Sequence, residues 1–356
     1  SSVRCNLGSL LFSTGNREEA LTLLESALEL APDSELAINN YGHALLELGR
    51  AAEALGVLER GIIYHRKSFL LGLSFASALL AVGQQERAEL QLHELLERES
   101  KNAAVWHGMG LACLGLGKLS EAKDAFLQAI RVESGEASYY YDLGNACIDL
   151  GQWVEAETAF QQVLSLSPKH VDAATNLGRV FLELGKLEEA EQIILSNNGL
   201  QEHHWQGFMN LGRLQFEKGE FQLSREAYTK ASRIVPNQWE PWNCLGVVIH
   251  ETGNFEEAET HYNRALQISP GNPDVHWNLA LTLLCLGDFT QGWREYEWRW
   301  KRADFPSPRL DFDKPGWKGE PGSILLHTEQ GLGDSLQFVR YTSMAKRVCR
   351  GEVHLL

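Results

Sequence analysis

One glycine recurs at a fixed interval without a slip: Gly15, Gly49, Gly83, Gly117, Gly151, Gly185, Gly219, Gly253 and Gly287. Nothing else in the chain constrains its fold as tightly, because a fixed period of about 20–50 residues marks stacked repeat units rather than one globular core. Seven positions before each glycine sits a small residue: Gly8, Gly42, Ala76, Gly110, Gly144, Gly178, Gly212, Gly246 and Ala280. Five positions after it sits another: Ala20, Ala54, Ala88, Ala122, Ala156, Ala190, Ser224, Ala258 and Gly292. Nine equal units therefore occupy 1–306 of the 356 residues, and fifty remain.

Each unit reads as two amphipathic helices. In the eighth, Trp242, Leu245 and Ile249 recur at helical spacing. Gly253 supplies the left-handed conformation that closes a helix. Glu256 and Glu257 then open the next one, where acids complement the positive end of the helix dipole. Ala258, Tyr262 and Ala265 form its buried stripe, and Pro270 stops it. Small residues bring the two helices close; Phe126, Phe160 and Tyr228 fill the space between units. A lone hairpin cannot bury such faces, so the units must stack.

Composition narrows the function. The chain holds 32 Lys and Arg against 47 Asp and Glu, a net charge of −15. Residues 307–356 carry seven basic and six acidic residues, so the repeats alone carry −16. That balance opposes nucleic-acid binding, which needs cations on phosphates, and favours polar or basic protein segments. No run is long and apolar enough to span a membrane. The chain opens on Ser1-Ser2-Val3-Arg4 with no initiator Met or leader and stops inside the apolar run Val353–Leu356; it is read as a piece of a longer polypeptide. Six cysteines show no CxxC pair, and Cys113 and Cys147 replace apolar residues one period apart, so they read as small buried thiols in a reducing cytoplasm. The twelve histidines form no zinc-type spacing, the His203-His204 pair reads as a polar loop, and no metal site is expected.

At these residues the chain resembles the tetratricopeptide repeat family. Asn6-Leu7-Gly8, Asn176-Leu177-Gly178 and Asn210-Leu211-Gly212 carry the likeness most closely, and it covers all nine units. It departs at Phe75-Ala76 in the third unit and at Asn197-Asn198-Gly199, which cut into the second helix of the sixth. The resemblance implies an all-α fold, an α-α superhelix whose concave surface is lined by the first helix of each unit. Its partner is then an extended peptide or protein segment, and a homo-oligomer is possible.

A groove should show as a register of polar residues one period apart. The place before Leu-Gly reads Asn6, Asn40, Ser74, Gly108, Asp142, Asn176, Asn210, Cys244 and Asn278. A side-chain amide can clamp a peptide backbone through donor and acceptor together. The row resembles the asparagine ladder of tetratricopeptide-linked O-GlcNAc transferases; the same residues equally serve stacking between repeats. Asn39, Asn145 and Asn243 lie nearby, and Arg179 and Arg213, one unit apart, offer a place for an acidic side chain or C-terminus, or stand as solvated surface cations.

The periodicity ends near Gly292–Trp300, where four aromatics replace the alanine pattern and read as a cap. The Pro-, Gly- and Asp-rich stretch Phe305–Pro321 reads as a linker or ordered loop, and the domain division sets the linker at 307–322. Ile324–His327 suits a buried strand, 328–334 a glycine loop, Ser335–Arg347 a helix and Glu352–Leu356 a second strand: a β-loop-α-β opening of an α/β domain at 323–356, truncated. The loop lacks the third glycine of a dinucleotide fingerprint and the Gly-Lys of a Walker A loop. Trp293, Tyr296-Glu297, Arg299, Pro315-Gly316-Trp317, Gly319 and the run Glu329–Asp334 through Gln337–Tyr341 resemble the beginning of a GT-B glycosyltransferase domain of the heptosyltransferase type. That likeness implies a bacterial, nucleotide-sugar-dependent parent enzyme. Asp334 would be its general base, with Gly331 and Gly333 admitting the sugar; Asp334 is equally suited to cap the following helix. Without the donor-binding half the chain would not be catalytic and would need no cofactor. The rival reading is an interaction scaffold without catalysis.

Overall fold

The computed structural model describes residues 1–196, 204–305, 317, 319–326 and 339–355. It is an all-α repeat fold with a small two-stranded sheet near the C-terminus, and it divides into two compact units, Ser1–Leu214 and Gln215–Leu356.

Nineteen α-helices occur among the described residues. First helices are α1 (Ser2–Ser13), α3 (Glu35–Glu47), α5 (Phe69–Ala81), α7 (Ala103–Gly115), α9 (Ala137–Asp149), α11 (Val171–Glu183), α13 (Trp205–Glu217), α15 (Trp239–Glu251) and α17 (Pro273–Leu286). Second helices are α2 (Arg17–Leu30), α4 (Ala51–Tyr64), α6 (Gln85–Arg98), α8 (Leu119–Val132), α10 (Trp153–Leu166), α12 (Leu187–Leu195), α14 (Phe221–Ile234), α16 (Phe255–Ile268) and α18 (Phe289–Tyr296). The second helices begin at strictly equal intervals, two positions after each recurring glycine.

That glycine makes each hairpin turn. All nine have positive φ, from 68° to 90°, a region that L side chains rarely adopt. At Gly117 the loop donates twice to the helix just ended, Gly117 N–H to Leu114 O at 3.0 Å and Lys118 N–H to Cys113 O at 2.9 Å. This pair of bonds satisfies carbonyls that a helix end leaves open. Polar side chains cap the start of several first helices: Ser34, Ser68 and Asn102 each accept from the backbone N–H three residues on.

Inside a hairpin, small meets large. A Cβ placed on Gly110 would lie 2.3 Å from the Phe126 ring, and one on Gly144 would lie 2.7 Å from Phe160. Both rings are fully buried, worth about 1.5–3 kcal/mol each relative to exposure. In the third repeat the pair is Ala76 with Leu92, a larger small residue against a shorter large one. Phe75-Ala76 therefore alters the packing without shortening α5 or α6. Helix α12 ends after nine residues, where α10 runs to fourteen; Asn197–Gly199 lie outside the described residues.

Phe305, the last described residue before the stretch assigned to the linker, packs into the cap: its ring meets Trp300 at 5.2 Å and Trp277 at 6.2 Å. The expected helix over 335–347 is described only from Thr342, as α19 (Thr342–Cys349) after a 3-10 turn at Val339–Tyr341. It runs past Arg347 because the chain reverses at Arg350, whose φ of 54° is left-handed. Strands β1 (Gly322–Leu326) and β2 (Arg350–Leu355) pair in parallel, with Ile324 opposite Val353. β2 opens two residues earlier than expected, since Gly322 pairs with Arg350 before the register shift.

Candidate peptide-binding face

The polar row sits at the middle of each first helix. Turn by turn, its side chains reach the first helix of the preceding repeat. Asn40 Nδ2 donates to Ser9 Oγ at 2.9 Å, and Asn176 Nδ2 donates to Asn145 Oδ1 at 2.8 Å. Ser74 Oγ donates to Asn39 Oδ1 at 2.7 Å, and Asn210 Nδ2 donates to the Thr175 carbonyl at 2.8 Å. Asp142 Oδ2 lies 2.6 Å from His107 Nε2. In the second unit, Asn278 Nδ2 donates to Asn243 Oδ1 at 3.0 Å. Asn6 is exposed, Gly108 packs against Leu92, and Cys244 is half-buried.

The row is thus a stacking device as well as a polar surface. Each such bond is worth about 0.5–1.5 kcal/mol net. It also fixes the plane of the amide that makes it. A primary amide has two donors and an acceptor. In Asn40, Asn210 and Asn278 the inter-helix bond occupies one donor, and among the described residues the other donor and Oδ1 have no partner.

The two arginines are not equivalent. Arg213 Nη1 donates to Glu183 Oε1 at 2.6 Å, and this bond holds the Glu183 carboxyl below the usual range. Arg179 is exposed, and its charge also acts on Glu183. An internal acid therefore already sits at the place offered to an anionic ligand.

Sequence reasoning placed Asn39, Asn145 and Asn243 near the row, and each accepts a bond from it; it missed the other partners. Ser9, His107 and the Thr175 carbonyl stand 31 or 35 positions before the residues they bind. A search for polar pairs at one period plus or minus a few positions would have found them. It also missed Tyr141, which stacks on His170 at 5.0 Å and whose hydroxyl burial pushes toward higher pKa.

Elsewhere, Glu89, Cys113 and Glu121 each bring one ligand atom within 4.8 Å of the others. Lys118 Nζ, however, donates to Glu89 Oε1 at 2.6 Å, so an ammonium balances that carboxylate. Cys113 and Cys147 are core thiols that burial pushes up. His204 is described and sits beside Thr175 and Asp172; His203 is not. Asp334, Gly331 and Gly333, with the whole run 327–338, lie outside the described residues. No helix among the described residues is long and apolar enough to cross a membrane.

A repeating hairpin with a glycine turn, a small–large packing pair and a first-helix polar row defines a tetratricopeptide-repeat scaffold, a class that binds peptides and proteins. Residues 1–207 match the family model described as Cilia and flagella-associated protein 70 C-terminal domain, and residues 131–302 match Cilia and flagella-associated protein 70 middle TPR-like domain. The chain belongs to this family of repeat domains. Neither match extends over 323–356. No curated protein matches the chain.

Among solved structures, the Cut9–Hcn1 hetero-tetramer of the APC/C aligns over 79% of this chain and 59% of its own, with 17% identity and a TM-score of 0.51. The chain thus spans less than two thirds of that relative. A tetratricopeptide repeat protein from Parabacteroides merdae aligns over 70% of this chain and 98% of its own, at 17% identity and a TM-score of 0.51. A monomeric IFIT1 mutant with m7Gppp-AAAA aligns over 83% and 70%, at 16% identity and a TM-score of 0.55. These likenesses concern the fold.

Proposed function

We propose that the chain is a protein-interaction scaffold whose first-helix face holds an extended peptide or protein segment. The observation that carries this reading is the anchored amide row. Asn40 and Asn210 each present a donor and an acceptor in a plane already fixed by a bond to the neighbouring repeat. Groups ordered before binding lose little rotamer freedom when a ligand arrives. An extended backbone offers the matching acceptor and donor at each residue. The acid excess of the repeats favours a polar or basic segment.

The expectation of a glycosyltransferase parent rests partly on residues 329–338, outside the described part, and partly on Trp293, Tyr296 and Arg299, which pack into the aromatic cluster of the ninth repeat. The parallel β1–α19–β2 arrangement is common to parallel α/β folds and does not select that activity. Family and fold both support the scaffold.

The test is a selection of dodecapeptides displayed on phage against the whole chain. Selected peptides should lose at least tenfold in affinity when Asn176 and Asn210 are both replaced by Ala, and should keep it when Glu188, exposed on α12, is replaced. Equal binding to all three proteins would move the site off this face.

A further inference from the structure

The loop between the second and third repeats departs from its counterparts. It joins α4 to α5 through His65-Arg66-Lys67-Ser68, and Arg66 stands where other such loops carry Pro32, Pro168, Pro236 and Pro270. No other loop at this register holds two Lys or Arg residues. Just ahead of it, Ile63 takes a position that is Glu29, Glu97, Arg131, Ser165, Arg233 and Gln267 in other repeats. Ile63 and the adjacent Tyr64 are 62% and 65% exposed. An isoleucine at a register position kept polar elsewhere, beside an exposed tyrosine, makes an apolar patch that stacking does not use.

These residues line a shallow cavity of about 660 Å³ together with Phe69, which opens α5, and Glu35 of α3. The loop is fixed from three sides. His65 Nε2 lies 2.6 Å from the Asp33 carbonyl oxygen, and Arg98 of α6 donates to the Lys67 carbonyl. Ser68 Oγ accepts from the Leu71 N–H at 3.0 Å and donates to Glu35 Oε1 at 2.6 Å. The acid of this lining is thus engaged by a hydroxyl, and the cations are left over. Arg50, Arg87, Lys118 and Lys186 each face a carboxylate; among the described residues the side chains of Arg66 and Lys67 face none. The positive end of α5, whose first turn holds no acid, adds to their field. At physiological salt, exposed charges beyond about 8 Å are largely screened, so these near groups outweigh the acid excess of distant repeats.

We propose that this cavity docks an acidic segment of a partner protein, one apolar side chain set among Asp or Glu residues. The apolar side chain rests on Ile63, Tyr64 and Phe69, while the carboxylates pair with the Arg66 guanidinium and the Lys67 ammonium. Tyr and Arg are the residue types that most often anchor protein interfaces, and a loop tied at both ends loses little freedom when a ligand arrives. The segment is opposite in charge to the one that the polar row favours. The site uses no residue of that row and stands if the groove reading fails.

The probe is the fluorescein-labelled peptide GDEFDEG, titrated against the whole chain by anisotropy at about 0.05 M salt, where exposed charges reach further. Saturable binding is expected. It should weaken at least tenfold for the double variant Arg66→Glu/Lys67→Glu and at least threefold for Ile63→Glu. The charge-matched pair Lys101→Glu/Lys169→Glu, on exposed cations of two other loops, should leave it within about twofold. All five positions are exposed, and Ile63→Glu installs the residue of the first and third repeats; circular dichroism checks that the helices persist. Binding that survives either the Arg66/Lys67 pair or Ile63→Glu overturns the proposal, as does an equal loss in the charge-matched pair or no saturable binding at all. One further outcome overturns the peptide assignment: an oligothymidylate that binds more tightly than the peptide and is lost in the Arg66/Lys67 variant makes the ligand a nucleic-acid backbone.

Discussion

The fourth and ninth repeats fill the same place with opposite chemistry. Ala129 of the fourth is fully buried beneath the next repeat. Arg299, in register with it five repeats on, is also buried, yet it carries a guanidinium. The Arg299 side chain lies over the Tyr296 and Trp300 rings at 4.7 and 4.6 Å and over Phe305 at 6.0 Å. Its Nη1 donates to the Tyr296 carbonyl at 3.1 Å and meets Glu297 at 2.7 Å. Where another helix must approach, the place is a methyl group. Where the array gives way to the cap, a cation ringed by aromatics fills the space and stays hydrogen-bonded. The lesson is that register fixes the location of a buried position, while the neighbour that covers it fixes the residue type.

The comparison can be broken at its tightest point. Gly110→Leu drives a side chain into Phe126 and should lower stability by about 3 kcal/mol or more, read by urea denaturation. Gly110→Ala should cost about 1–3 kcal/mol. Adding Phe126→Leu should recover most of that, because it rebuilds the Ala76–Leu92 pair of the third repeat. Additive losses in the double variant would contradict the small–large rule. Next in size is Arg299→Ala, which gives the ninth repeat the residue of the fourth. It should cost about 2–4 kcal/mol by leaving a hole among three rings. A neutral result would mean that the cap does not need its cation.

Smaller effects sharpen the role of the polar row. Asn176→Ala removes the bond to Asn145 and should cost about 1 kcal/mol, seen as a lower thermal midpoint. Glu183→Gln should cost under about 1 kcal/mol, as exposed ion pairs do. Arg213 depresses the folded pKa of Glu183, so its contribution is present above the unfolded value, about 4.3, and is lost as pH falls through the folded value. Wild type and Glu183→Gln should therefore differ at pH 7, and the difference should shrink as the pH falls below the unfolded value and through the folded one. Divergence on acidification would reverse the sign of the argument.

Much of this was legible in the residues. The glycine series located every hairpin turn, because only a positive φ closes those helices and glycine adopts it without strain. The alanine series located the buried stripe, and the apolar run at 324–326 located a strand. What the residues hid was pairing. A row of asparagines looks the same whether its amides face solvent or a neighbouring helix, and only the approach of successive first helices showed that they do the second. Arg299 misled by type, since a lone arginine reads as a surface cation until aromatic rings close over it.

The central claim is that the anchored amides of the first-helix face hold an extended backbone. Its most direct measurement is the side-chain amide resonances of Asn40, Asn176 and Asn210, assigned by single Ala substitutions and followed while a selected peptide is added. The scaffold reading predicts that these resonances shift in step with binding while those of exposed second-helix side chains stay in place. A bound peptide that leaves all three amides unmoved would contradict it.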